Sequence, residues 1–366
     1  MTKMANENKA INLSQGFPDF DGPAWLIDLA KNSLMDGHLG KNQYAPSMGI
    51  LPLRKAIAHN YQRFYSLDYN PENEIVVTNG ATEAIFCTLR AILNAGDEVI
   101  VFEPSYDSYL ASIEMCDAKV VPVTLKLPAF AFDLEELRMA ITPNTKLLIL
   151  NNPHNPTGKV FTKAELETIA RLAIENDLYI LSDEVYEFLT YDCEHIPTAT
   201  MSNLKERTIT VSSTGKTFGV TGWKIGWACG PDHLIKAIHN VHQFTTFCVS
   251  HPFQAAMAEA LLQMDDYLIE FKSSYKLKRN LLVSGLKEIG FNMIDPQGTY
   301  FALAVIPDAL DDISFCKKLI SEYKVATIPA SAFYLKSDEG KKLIRFCFAK
   351  KEATLMAALN NLKKSI

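Results

Sequence analysis

From about residue 75 to 230 the apolar positions come in two alternating textures. Short runs rich in β-branched residues (EIVVT, DEVIVF, KVVPV, KLLIL, LYILS and TITVS) read as strands. Between them lie stretches in which apolar residues recur every three or four positions, the spacing of a helix with one buried face. Between KLLIL and LYILS, Thr162 and Glu165 make a capping box that opens ELETIARLAIEN, a crossover helix between parallel strands. The alternation predicts an α/β fold with a mostly parallel sheet between helices. After about residue 270 the texture changes. A long helical stretch, YLIEFKSSYKLKRNLLVSGLKEI, leads into strand-like TYFALAVI, a helix around SFCKKLISEY, the strand LIRFCFA and a closing helix. Fewer elements in this order predict a smaller, antiparallel α+β domain.

The 366 residues suggest about two domains, on a prior of roughly 100 to 200 residues each. The division expected is an N-terminal segment, 1–40, that joins the small domain, a large domain over 41–270, and the small domain over 271–366. With 48% hydrophobic and 21% charged residues, no long stretch is expected to be disordered. A formal charge of −6 argues against a nucleic-acid partner held through its phosphates. Seven cysteines, at 87, 116, 193, 229, 248, 316 and 347, include no C-x-x-C pair, so reduced thiols and no metal site are expected. MTKMANENKA lacks the apolar core of a signal peptide, and no run approaches the ~18 apolar residues of a membrane helix. A soluble, cytoplasmic protein without membrane contact is the expectation.

Ligands of an open α/β sheet gather beyond the carboxyl ends of its strands, so the residues there are the candidates for chemistry. EIVVT runs into NGATEAIFCTLRAIL, where Gly80 permits a turn and Ala84, Ile85, Thr88, Leu89 and Ile92 follow helical spacing. A helix start offers unpaired N–H groups that suit a phosphate, though an ordinary strand-to-helix turn looks the same. KLLIL ends in NNPHNPTG, whose prolines leave Asn155 in a rigid loop. LYILS ends at Asp183, with Tyr186 nearby; an anion there needs a cation, a donor or a helix N-terminus to cap. TITVS ends at Ser212 and Ser213, followed by Lys216 and, eight residues further, Lys224. Gly215-Lys216-Thr217 resembles the end of a P-loop, but Thr210 occupies the position of its first glycine, which excludes that motif. Lys216 is then either a solvated lysine or a nucleophile. Arg345, inside the apolar strand LIRFCF, requires an ion pair or an anionic ligand.

A lysine that can attack a carbonyl carbon, an acid to pair with a pyridinium nitrogen and a phosphate cup are together what pyridoxal phosphate requires. The chain resembles the class I aminotransferases of the fold type I pyridoxal phosphate enzymes, particularly the methionine and kynurenine/glutamine branch. The similarity runs through INLSQGFPDFDGP, NQYAPSMG, EPSYDSY, NNPHNPTG, SDEVYE, SSTGKTFGVTGWKIGW, GTYFAL and LIRFCFAKKE, nearly the whole chain. It implies that Lys216 bonds the cofactor and, once freed by the amino substrate, moves the α-proton as a general base. By the same resemblance Asp183 pairs with the ring nitrogen, Asn155 and Tyr186 bond the ring hydroxyl, and Tyr106 stacks on the ring. The phosphate falls to Ala81, Thr82, Ser213 and Lys224, and Tyr44 reaches the phosphate of a second subunit, which implies a homodimer with shared sites. Arg345 would grip the substrate α-carboxylate beside Gly16 and Asn155, since a guanidinium offers a planar fork to two oxygens. Two features depart from the pattern: Lys224 stands where many class I enzymes have arginine, and only ten residues precede INLSQG, where relatives carry a longer segment that crosses to the partner.

The resemblance makes the substrates an amino acid and a 2-oxo acid. No second arginine stands out for a side-chain carboxylate, and Phe17, Tyr44, Tyr106, Phe244 and Phe247 could supply apolar walls, so methionine and aromatic or large neutral donors are expected over aspartate. A β-lyase acting on cysteine conjugates is the alternative on the same fold. A cofactor-binding regulator without catalysis is the alternative of another class, disfavoured because it needs no proton shuttle.

Overall fold

A computed structural model of the chain describes residues 1–35, 41–307 and 309–363. The strand-like runs assemble around one large sheet. Its strands are β2 (Ile75–Asn79), β3 (Glu98–Glu103), β4 (Lys119–Thr124), β5 (Thr145–Asn151), β6 (Tyr179–Asp183), β7 (Thr208–Ser213) and β8 (Ile225–Cys229), with β1 (Ile11–Asn12) lying apart. The order across the sheet is β2-β8-β7-β6-β5-β3-β4. Neighbours from β4 through β3, β5 and β6 to β7 are parallel. β8 runs antiparallel to both β7 and β2, the one reversal in an otherwise parallel sheet. Its sequence, IGWAC, has a single β-branched residue, so the pattern of runs gave no sign of it.

Adjacent residues of a strand face opposite layers, and the core follows that period of two. Ile100, Phe102, Leu148 and Leu150 pack on one side with Leu166, Ile169 and Ala173 of the helix Lys163–Glu175. Val99, Val101, Leu147 and Ile149 pack on the other with Ala84, Ile85 and Leu89 of the helix Gly80–Ile92 and with Leu234, Ile235 and Ile238 of the helix Asp232–Thr245. Because both faces are covered, the central strands are apolar throughout rather than alternating. The crossover helix opens as its sequence predicts: Thr162 Oγ1 accepts the Glu165 N–H, and Glu165 Oε2 accepts the Thr162 N–H at 2.8 Å.

A second sheet contains β9 (Asn292–Ile294), β10 (Phe301–Val305), β12 (Ile328–Pro329) and β13 (Leu343–Cys347), all antiparallel in the order β12-β13-β10-β9. β11 (Val325–Ala326) pairs in parallel with β1, which fastens the N-terminal segment to this part of the chain. The helix Asp265–Glu288 runs unbroken through position 270, where the sequence texture changes. The expected boundary after residue 40 borders positions 36–40, which lie outside the described residues. Among the described residues no helix is long and apolar enough to cross a membrane, and no group of three or more His, Cys, Asp or Glu side chains could hold a metal ion.

Candidate active site

A cavity of about 310 Å³ opens at the carboxyl ends of the large sheet and is closed on its other side by residues of the second sheet and the N-terminal segment. Strand order explains what gathers there. β5, β6 and β7 are neighbours and parallel, so Asn151, Asp183 and Ser213 arrive at the same edge, with Asn151 paired directly to Asp183. Ser213 then starts the short helix Thr214–Thr217, which lifts Lys216 into the cavity.

Asp183 is buried, and desolvation raises its carboxyl to about 6 even though donors surround it. The Tyr109 hydroxyl donates to Oδ2 at 2.5 Å and the Val185 N–H to Oδ1 at 3.3 Å, and Lys216 opposes the rise electrostatically. A buried carboxylate facing a cavity is poised to take a cationic partner there. Lys216 Nζ lies 5.7 Å from the ring centre of Tyr186 and 5.6 Å from that of Tyr300, so its stem is walled by two aromatic rings. Burial pushes the Tyr186 hydroxyl well above its ordinary value, and the partly buried Tyr106 hydroxyl is raised for the same reason.

Opposite them, Arg345 projects from β13. Its Nη1 donates to Asn155 Oδ1 at 2.8 Å and its Nη2 to the Ser14 carbonyl at 3.3 Å, while its buried Nε has no partner. The guanidinium carbon sits 3.9 Å from the ring centre of Phe301 and 4.8 Å from that of Phe333. Burial lowers the pKa of this guanidinium from its ordinary value, yet among the described residues no carboxylate bonds it. The geometry is that of a cation held ready for an anion. Gly16 lines the cavity beside it; a Cβ at Gly16 would come within 2.8 Å of the Phe301 ring, and the Gly16 carbonyl accepts the Tyr300 hydroxyl at 2.5 Å.

The remaining lining forms a cup that suits a phosphate. Gly80, at φ +76°, turns β2 directly into the helix Gly80–Ile92, Asn79 provides no side-chain cap to that helix, and Ala81 and Thr82 of its first turn line the cavity. Lys224 adopts the left-handed conformation at φ 55° and brings Nζ over this helix start; a Cβ on Gly80 would lie 3.0 Å from it. Across the cup, a Cβ on Gly226 would strike the Gly80 and Ala81 backbone at 2.5 and 2.6 Å. Only the glycine lets β8 approach so closely. A positive dipole end, a lysine and the Ser213 hydroxyl on one rim fit a phosphate monoester.

The structure therefore brings Gly16, Ala81, Thr82, Tyr106, Asn155, Asp183, Tyr186, Ser213, Lys216, Lys224 and Arg345 to a single cavity. Tyr44 lies elsewhere, 82% exposed, its ring edge-on to Phe247 at 5.4 Å. Two contributors escaped the sequence reading. Tyr109, the second tyrosine of EPSYDSY, sits one helical turn after Tyr106 and is the hydroxyl that bonds Asp183. Asn151, the first residue of NNPHNPTG, accepts the Asn155 N–H at 2.7 Å and donates to the Asp183 carbonyl at 2.9 Å, bolting the two loops together. Helical spacing from Tyr106 and a place at a strand end were the available signals.

A family model described as aminotransferase class I and II matches residues 8–362. A probable N-succinyldiaminopimelate aminotransferase of Mycobacterium tuberculosis is 42% identical, over 99% of this chain and 94% of its own length. The methionine aminotransferase of Escherichia coli is 39% identical, over 100% of this chain and 94% of its own. Among solved structures, N-succinyldiaminopimelate aminotransferase from M. tuberculosis superposes with a TM-score of 0.96 at 42% identity, covering 100% of this chain and 96% of that one.

Proposed function

The chain belongs to the class I and II aminotransferases, enzymes dependent on pyridoxal phosphate, and from that premise we propose that it moves the α-amino group of methionine, aromatic or other large neutral amino acids to a 2-oxo acid. The observation that carries the choice of donor is the supply of cations. Among the described residues lining the cavity they are Lys216, Lys224 and Arg345. Lys224 lies over the phosphate cup and Lys216 among aromatic rings, which leaves one guanidinium for one α-carboxylate and none for a side-chain acid. The rings of Tyr106 and Phe301, both lining the cavity, offer an apolar side chain contact instead.

The cofactor supplies an aldehyde carbon that takes up the amino group and a ring that withdraws electrons from the substrate α-carbon. The chain's own residues do the rest. Lys216 Nζ would hold the cofactor at rest and, once free, would serve as the general base for the α-proton. Asp183, held by Tyr109 and Val185, keeps a proton on the ring nitrogen. Asn155 and Tyr186 bond the ring hydroxyl, and Asn155 also orients Arg345, which takes the α-carboxylate beside Gly16. Ala81, Thr82, Ser213 and Lys224 hold the phosphate.

The test is a donor panel of methionine, phenylalanine, kynurenine, aspartate and N-succinyldiaminopimelate, each with 2-oxoglutarate as acceptor. Methionine or an aromatic donor is expected to give the highest kcat/KM; aspartate as the best donor would refute the reading. A second reading follows from the 42% identical relative, whose name specifies N-succinyldiaminopimelate. That substrate brings further carboxylates, and its leading the panel would mean that a cation outside this cavity serves it.

We further propose a homodimer with shared sites. Tyr44, Phe244 and Phe247 are large apolar residues at 82, 86 and 46% exposure, and Tyr44 and Phe247 touch, an apolar patch suited to a second copy of the chain. Tyr44 would then reach the partner's phosphate. Sedimentation at micromolar concentration is expected to give twice the mass of the 40.9 kDa chain; a monomer that retains full activity would disprove sharing.

A further inference from the structure

Glu103 ends β3 and is 2% exposed, yet among the described residues no lysine or arginine pairs with it. Its carboxylate is satisfied by the backbone of a distant loop. Oε2 accepts the N–H groups of Leu335 at 2.7 Å and Lys336 at 2.9 Å, and Oε1 accepts the Ser337 N–H at 2.9 Å together with the Thr124 hydroxyl at 2.8 Å. Three consecutive N–H groups converging on one anion make a nest of the kind that binds free phosphates, and such charge-assisted bonds are about twice as strong as neutral ones. Here the anion belongs to the large sheet and the nest to the chain 232 positions later.

What this junction joins decides its meaning. Two residues after Glu103, the Ser105 N–H donates to the Phe333 carbonyl at 2.7 Å, and the next residue, Tyr106, lines the cavity. On the other side, the Phe333 ring lies 4.8 Å from the Arg345 guanidinium. The 3₁₀ turn Ala330–Phe333 follows β12, which pairs with β13 opposite Arg345 itself, Ile328 against Arg345. The nest thus ties the wall that carries Tyr106 to the wall that carries Arg345.

We propose that Glu103 is a positioning residue for substrate binding: by locking the loop 335–337 it sets the separation between Arg345 and the cofactor side of the cavity, acting through Phe333. This rests on the reading of Arg345 as the α-carboxylate site. A substrate anchored at both ends is sensitive to that separation, since an α-carboxylate that meets Arg345 less well is held less tightly in ground state and transition state alike, which raises KM more than it lowers kcat. Glutamine at 103 keeps the size but turns an N–H₂ toward N–H donors, so at least one bond becomes a repulsion.

The experiment compares Glu103→Gln, Phe333→Leu, the double variant and Arg345→Gln as holoenzymes, with methionine as donor and 2-oxoglutarate as acceptor, or with the better donor from the panel. In Glu103→Gln the KM of donor and of acceptor is expected to rise about 10-fold with kcat changed far less and cofactor content unchanged. The amides of residues 335–337 should exchange with deuterium faster while those of β13 do not. Because Glu103 acts through Phe333, the double variant should be no worse than the more impaired single one. Parental KM values in Glu103→Gln, or additive losses in the double variant, would overturn the proposal while leaving Arg345's role intact. Parental KM values in Arg345→Gln would remove the carboxylate reading and this proposal with it. Phe333→Leu keeps the apolar bulk and tests the same link from its other end, so a poorly folding Glu103→Gln does not shelter the idea: parental KM values in Phe333→Leu would also overturn it.

Discussion

Lys216→Ala is expected to lower kcat by at least about 10⁴-fold, because a positioned general base alone contributes 10²–10⁴-fold and the proposed mechanism also makes its amine the attachment point of the cofactor. The variant should still retain the cofactor, since Asp183, Ser213, Lys224 and the start of the helix Gly80–Ile92 are untouched. Lys216→Arg separates charge from basicity. A guanidinium, with a pKa above about 12, stays protonated and cannot accept the α-proton, so this variant should be as inactive as alanine although the cavity keeps its positive charge. Alanine also leaves room where the lysine stem stood, and added ethylamine is expected to restore activity in proportion to its concentration in Lys216→Ala but not in Lys216→Arg. Steady-state rates with and without ethylamine decide it. An arginine variant within about 10-fold of the parent would mean that Lys216 acts through charge alone and that another group is the base.

That much of the site was open to sequence reasoning because its members stand at the ends of recognisable strands. An aspartate directly after an apolar run must be paired, an arginine inside one must be paired, and a lysine after a strand end that fails the P-loop pattern needs another use. What the one-dimensional pattern does not carry is the identity of partners distant in the chain. Asp183 is bonded by Tyr109, 74 positions earlier, and Arg345 by Asn155, 190 positions earlier. Both contacts depend on strand order and register, which periodicity leaves open. β8 escaped for a different reason. Gly226 stands where a Cβ would hit the phosphate cup, so the demands of the site removed the side chains that advertise a strand. Glu103 was hidden in the same way as Tyr109: its partners are main-chain N–H groups, to which any sequence could contribute.

Asp183 carries a stability cost that its proposed chemistry requires, and the cost has a predictable sign. In the protein without cofactor, burial lifts its carboxyl to about 6, above the ordinary carboxylate value of the unfolded chain. The folded state therefore holds the proton over a range where the unfolded state has released it. Stability contributed by the neutral acid is complete below about pH 4 and is lost as pH rises through about 6. Asparagine has the same shape, can keep its oxygen on the Val185 N–H while its N–H₂ donates to the Tyr109 oxygen, and has no proton to lose. Cofactor-free Asp183→Asn should accordingly be more stable than the cofactor-free parent at pH 7.5, by roughly 3 kcal/mol at most, and the difference should fall to about half by pH 5 and approach zero near pH 4. Activity should move the opposite way. A neutral amide cannot hold a proton on the ring nitrogen, and losing one such electrostatic contact costs about 10²–10³-fold in kcat, with KM changed less. Thermal unfolding of both cofactor-free proteins between pH 4 and 8, beside their holoenzyme kinetics, measures the two halves together. Parallel pH profiles for parent and variant would show that folding leaves the Asp183 carboxyl unshifted, and the cavity would then owe its readiness for the cofactor to Lys216 and the proposed phosphate cup rather than to a carboxylate held out of water.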